Sequence, residues 1–250
     1  MGDAVTQGNN EPDRDSFRAL LRLVDDVLAD VDHRDNPYFR ALSDGTFERE
    51  DFIETQMQFH AAVVFFSRPM AALAAKIPDP VLRVEILRNV WEEHGEGDPT
   101  RMHGATFVTF LSRLCGSSTA ETERAIAARP LWPEVRAFNT VLAGACVLDD
   151  HLVGTGVMGI VERMFSEIST WIGRGCVSRG FLSAVEMVHY DLHEKLDVRH
   201  ATDFFRVLAA SWDQGEAQRY DIEQGLRMGA VVFDQLYARL YRARARRWLR

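Results

Sequence analysis

Several protein classes are closed to this sequence by what it lacks. Its 250 residues hold three cysteines, Cys115, Cys146 and Cys176, which are odd in number, far apart and without a Cys-x-x-Cys spacing. That pattern makes neither a disulfide framework nor a thiolate zinc site, and a reducing cytoplasm is the expected home. Long apolar runs are missing too: the longest, around residues 59–66, is interrupted by His60 and too short to span a bilayer. Residues 1–15 are polar and acidic, with no apolar export segment. A loose myristoylation pattern at residues 1–6 is read as chance. Positive charge is in deficit, 29 Lys plus Arg against 37 Asp plus Glu for a net charge of −8. Such a surface repels nucleic acid, so neither nucleic acid nor membrane is an expected partner.

What is present is helical periodicity over an ordinary soluble composition, 46% hydrophobic and 26% charged. Phe17, Leu20, Leu21, Val24, Val27 and Leu28 recur at three- and four-residue steps, which puts them on one face of an opening helix. Asn36-Pro37 breaks the chain. A second pattern begins after Asp44-Gly45 and runs through Phe52, Met57, His60 and Val64 toward Leu73, with Pro69 expected to kink or interrupt it. Asp79-Pro80 reads as a cap and first turn leading to Val81, Val84, Leu87 and Trp91. Gly95 and Gly97 disturb that helix, and Asp98-Pro99 caps a fresh start. Further helical patterns cover residues 135–148, 151–172, 181–196 and 213–246. No segment reads as a sheet, no repeat recurs and no linker separates two domains. The expectation is an all-α chain: an arm without fixed structure over residues 1–14, then one bundle of seven to eight helices over residues 15–250. The basic end from Arg239 to Arg250 reads as a solvated helix terminus with acidic partners elsewhere in the chain.

Three segments carry chemistry. In His193-x-x-x-Asp197-x-x-His200, Asp197 lies about 40° and His200 about 20° from His193 around a helix, so two imidazoles and a carboxylate share one stripe. That set suits a redox-active divalent metal such as iron better than structural zinc. In the stretch from Asn89 to His103, two carboxylates compete as partners for His103. Glu96, seven residues away, is in phase on an ideal helix; Glu93, ten away, is about 80° out of phase unless glycine and proline re-phase the backbone. Spacing alone prefers Glu96. Finally, Glu162 stands among apolar residues after Gly154, Gly156 and Gly159, where a buried carboxylate needs a metal or cation to offset its desolvation.

In order and spacing, Asn89, Glu93, Gly95, Gly97 and His103, then a lone Glu on a later helix, then His193, Asp197 and His200 resemble the haem-oxygenase-like diiron oxidases. These are also known as iron-containing redox enzymes and are relatives of thiaminase II and pyrroloquinoline quinone synthase. The resemblance spans about residues 36–210. It implies six ligands, Glu93, His103, Glu162, His193, Asp197 and His200, for two ferrous ions, with Glu93 in place of Glu96. Three carboxylates against two such ions leave a net charge of about +1, which welcomes a carboxylate-bearing substrate. Glu186 and His189 share the His193 stripe and read as neighbours of the site or substrate contacts. His60 reads as a core histidine.

The resemblance further implies a haem-oxygenase-like bundle that activates dioxygen as co-substrate. The expected reaction is oxidation of a small amine, amino acid or fatty acid by N-oxygenation, desaturation or carbon–carbon cleavage. An external electron donor and a homodimer belong to the same expectation. Two rivals stand beside it: a metal-free enzyme of the same fold, either a cofactorless oxidase or a thiaminase-like hydrolase, and a non-catalytic helical interaction protein. The three cysteines lack a nucleophile context and are expected to be buried and inert.

Overall fold

The structure is a computed structural model that describes residues 14–246; within it, residues 188 and 191–196 are described by their backbone alone. Residues 1–13 of the expected arm and residues 247–250 of the basic end lie outside the described residues, while Arg14 already belongs to the first helix. Ten α-helices follow one another: α1 Arg14–Asp30, α2 Pro37–Asp44, α3 Arg49–Lys76, α4 Pro80–Glu93, α5 His103–Cys115, α6 Thr119–Ala127, α7 Pro133–Ala143, α8 His151–Ser178, α9 Val188–Ala209 and α10 Glu216–Ala243. The fold is all-helical among the described residues, as expected, but has ten helices rather than seven to eight. Two of them, α2 and α6, span fewer than ten residues, too short for a clear amphipathic repeat.

Local chemistry sets the boundaries. Pro37 begins α2 instead of breaking the chain, because Asn36 caps it through Tyr38 N and proline fits the first helical turn. Asp79 caps α4 in the same manner, accepting from Val81 N and Leu82 N. The helix α3 continues through Pro69, which is buried in a stretch that also buries Phe66, Met70 and Leu73, so burial of this helix outweighs the single backbone hydrogen bond that proline removes. The helix expected from residue 181 starts only at Val188. Ser183 and Glu186 form a capping box on a short 3-10 turn ahead of it.

At the centre lies α8, packed along both α9 and α10. Glycines set those distances. A Cβ on Gly159 would sit 2.9 Å from Phe204 Cβ of α9, and one on Gly225 of α10 would sit 2.4 Å from the Val153 carbonyl oxygen of α8. The backbones therefore approach closer than any side chain permits. Against this trio stand α3 and α5 on one side and α4 against α3 and α9. The basic end finds its acidic partners: Arg244 lies 3.7 Å from Asp51 and Arg246 pairs with Glu134.

Candidate metal centre

Four helices deliver polar side chains to one buried place. Glu162 comes from the middle of α8, Asp197 and His200 from α9, Glu93 from the last residue of α4 and His103 from the first of α5. Glu93, Glu162, Asp197 and His200 are all at most 6% exposed. Ligand atoms of Glu93, Glu162 and His200 lie within 4.8 Å of one another. His200 Nδ1 faces Glu162 Oε1 at 3.7 Å and Asp197 Oδ1 at 4.0 Å. Glu93 and His103 are hydrogen-bonded to each other. Five of the six sequence-predicted residues are thus brought together; the side chain of His193 lies outside the described residues.

Backbone strain resolves the choice between Glu93 and Glu96. The chain turns sharply after α4 through Gly95 and Gly97, at φ +65° and +89°, and Glu96 itself sits at φ +55°. An ideal helix does not continue there, so its phase no longer applies. Glu93 turns inward to His103, while Glu96 is exposed and pairs with Arg101 at 3.1 Å. Glu186 is likewise spent elsewhere, its carboxylate accepting from Ser183 N at 2.8 Å. His189 does reach the site: its ring stacks on His103 with centroids 5.0 Å apart, and its Nδ1 lies 3.0 Å from Thr106 Oγ1.

Sequence reasoning missed two residues. Glu92 accepts from His200 Nε2 at 2.8 Å and is itself held by Arg199. That bond leaves His200 Nδ1 as the ring atom aimed at Glu162, the carboxylate–imidazole arrangement that orients a metal-ligating histidine. Nothing in the run Glu92-Glu93 announces this in advance: the two stand about 100° apart on α4, and the partner each one meets depends on how that helix packs against its neighbours. His60, expected in the core, lines a 470 Å³ cavity together with Glu93 and His103. Burial, and then the charge of His103, lower its pKa to about 4, so it stands neutral at the cavity wall. Val63 and His103 also line a second, apolar cavity beside Glu162, walled by Phe59, Phe66, Phe138, Phe165 and Phe233.

Electrostatics show what the cluster needs. Burial, and next the Asp197 carboxylate, push Glu162 up to about 7. Burial also lifts Asp197 well above the usual carboxylate range, against the pull of His200. For His200 burial acts downward, but Glu162 and then Glu92 outweigh it and raise the imidazole to about 10. Without another cation, like-charged carboxylates in this dry site recruit protons. A divalent ion supplies the same relief. Glu162 Oε1 and His200 Nδ1 are shut off from solvent and 3.7 Å apart, so a metal that displaces the recruited protons finds a carboxylate oxygen and an imidazole nitrogen facing one another. The oxygen and nitrogen donors fit iron, so the residues present accommodate the metal implied by the resemblance. Burial raises the Cys146 and Cys176 thiols to about 12 and lifts that of Cys115 as well, although Cys115 is half-buried rather than buried as expected.

Comparisons with known proteins agree with this picture at the level of fold and family. A Chlamydia pneumoniae protein named 4-aminobenzoate synthase is 20% identical over 183 residues, 73% of this chain and 78% of that protein. A CADD-like protein of unknown function from Nostoc punctiforme superposes with a TM-score of 0.70 at 14% identity, covering 90% of this chain and 97% of that one. A TenA homologue from P. horikoshii gives 0.67 at 13% identity, covering 91% and 98%. The shared architecture is the haem-oxygenase-like fold. Residues 54–233, which contain every residue of the cluster, match the sequence profile described as iron-containing redox enzyme, and the chain belongs to that family.

Proposed function

We propose that this protein is a non-haem diiron oxidase or oxygenase, holding two iron ions between Glu93, His103, Glu162, His193, Asp197 and His200. One observation carries the reading: Glu93, Glu162 and His200, from three helices far apart in sequence, present ligand atoms within 4.8 Å of each other in a buried site. When bound, iron supplies one-electron redox chemistry and a place for dioxygen to be reduced.

The protein's own residues do the rest. Glu92, anchored by Arg199, accepts a hydrogen bond from His200 Nε2–H and fixes that ring's orientation. Thr106 sets His189, which supports the His103 ring from one side. The phenylalanine-walled pocket beside Glu162, only about 30 Å³, gives the cluster a close-packed apolar flank rather than room for substrate. The 470 Å³ cavity, lined by His60, Ser67 and Glu123 and reaching Glu93 and His103, is the space that admits substrate. No Lys or Arg is among the residues lining it, and Glu123 adds a carboxylate that is not one of the proposed ligands. An amine or amino acid suits that lining better than a fatty acid. An amine-bearing compound also agrees with the name of the Chlamydia pneumoniae relative.

Anaerobic titration with ferrous iron tests the reading. Two equivalents per chain are expected, followed by a transient visible absorption on exposure to oxygen and by oxygen uptake triggered by an amine. Unchanged iron binding in an Asp197→Ala, His200→Ala double variant contradicts it. Turnover that survives chelation belongs instead to a metal-free enzyme of the same fold.

A further inference from the structure

A separate cavity of 690 Å³ opens between the 3-10 turn His33–Asp35, the short helix α2 and the C-terminal part of α8. Gly175 brings those helices together, since a Cβ there would lie 2.5 Å from Leu42 Cγ. Beside that contact the half-buried indole of Trp171 forms a wall of the cavity. Its ring is braced edge-on by buried Phe39, with centroids 5.7 Å apart, and by buried His33 at 5.2 Å. Trp171 follows Glu162 on α8 at a distance of about 14 Å along the axis and about 180° around it, so this cavity is distinct from the metal centre.

Three guanidinium groups line it, Arg34 from the turn, Arg40 from α2 and Arg174 from α8, in a chain whose net charge is −8. Among the described residues Arg174 has no ion-pair or hydrogen-bond partner. Arg34 is tied to Asp32 through Nε at 2.8 Å, which leaves its terminal nitrogens to donate elsewhere. Arg40 stands 3.9 Å from Asp35, a loose pair. Asp44 is the acid in the described lining, and its Oδ1 already accepts from Thr46 N and Thr46 Oγ1 at 2.9 and 2.7 Å. Cations of one sign along a concave wall focus a positive potential there. The Arg34 and Arg40 side chains are 75% and 66% exposed, so they can swing onto a ligand and close over it.

The lining selects the ligand. Guanidinium forks match phosphate oxygens in pairs, and a braced indole offers a surface on which a planar ring stacks. An inorganic anion would leave Trp171 unused, and a neutral aromatic compound would leave three arginines unused. A phosphate monoester carried on a planar ring uses both. The volume lies within the range of small-molecule sites, and the concave shape suits such a ligand better than a flat protein surface. We infer that this cavity binds a mononucleotide, with its phosphate among Arg34, Arg40 and Arg174 and its base against Trp171. The arginines are ordered only on binding, so the affinity is micromolar rather than nanomolar. The inference does not rest on iron.

Isothermal titration calorimetry of the iron-free full chain tests it, with adenosine monophosphate, flavin mononucleotide, adenosine and inorganic phosphate as probes. One equivalent of at least one of the two mononucleotides is expected to bind, with adenosine and inorganic phosphate each weaker by about tenfold or more, the loss of one charge-assisted hydrogen bond or its equivalent. Arg174→Ala, at an exposed position, weakens mononucleotide binding by a similar factor and leaves the far-ultraviolet circular dichroism spectrum and the iron stoichiometry unchanged. Trp171→Leu weakens the mononucleotide without changing inorganic phosphate. Arg136→Ala, exposed on α7, changes neither. Absence of binding by both mononucleotides at millimolar concentration overturns the proposal, as does inorganic phosphate that binds equally well or a mononucleotide affinity that Arg174→Ala leaves intact.

Discussion

The two halves of the cluster are held by opposite means. Glu162, Asp197 and His200 stand on α8 and α9, long helices whose spacing is fixed by glycine contacts such as Gly159 against Phe204 and Phe205. Glu93 and His103 instead flank a break, and their approach depends on a tight turn with three consecutive positive φ angles at Gly95, Glu96 and Gly97. One half is positioned by packing and the other by backbone conformation. The difference shows where the site can be disturbed without unfolding the protein, and where it cannot.

The largest effect is expected in the packed half. Replacing Gly225 by valine drives a side chain into the Val153 carbonyl, costing about 3 kcal/mol as overpacking. Calorimetry should show a melting temperature lower by about 6–12 °C. Next comes the bond that aims His200: Glu92→Ala should weaken ferrous binding by about 10–100-fold in an anaerobic titration. Glu92→Gln, which retains an acceptor oxygen, should recover most of that loss. In the turn half, Gly95→Ala forces a left-handed residue and places its Cβ 2.7 Å from Met102 N. A strain of about 1–2 kcal/mol is then confined to the turn, so iron content falls while circular dichroism of the bundle stays unchanged.

A smaller effect comes from the outer side of α8. Glu167 is held down at about 2 by the His33 imidazole first and by Arg163, against its partial burial. Its folded-state value lies below the ordinary 4.5, so its contribution to stability is complete above about pH 4.5 and is lost as pH falls toward 2. Denaturation curves of wild type and Glu167→Gln should differ at neutral pH and converge over that window. Smallest of all, Glu96→Gly removes a non-glycine residue from the left-handed region and loses only an exposed pair with Arg101. A gain of about 1 kcal/mol or less is expected, with iron stoichiometry unchanged because Glu96 is no ligand.

The same contrast governs how much could be read in advance. Periodicity found most helices, and His193, Asp197 and His200 lie on the unbroken helix α9, where Asp197 and His200 face one another as ideal geometry expects. It failed across residues 93–103, where spacing favoured Glu96: the positive φ angles of the turn cannot be deduced from helix phase. For α4 the stripe of Val81, Val84, Leu87 and Trp91 correctly signalled a helix and gave no hint of its orientation. An apolar repeat states that a face exists, not what covers it, and here the inner face is occupied by Asn89 and Glu93 because the chemistry lies inside. Glu186 was a plausible neighbour of the site by spacing, yet helix capping claimed its carboxylate. Glu92 was illegible because its partner His200 comes from α9, 108 residues further along the chain.

The central claim is that the packed half and the turn half close on the same pair of iron ions. Anomalous diffraction at the iron edge, from crystals grown anaerobically with ferrous salt, examines it most directly. Two peaks are predicted, both enclosed between Glu93 and His103 on one side and Glu162, Asp197 and His200 on the other. Iron found only on surface carboxylates, with Glu162 and His200 bare, would contradict the account.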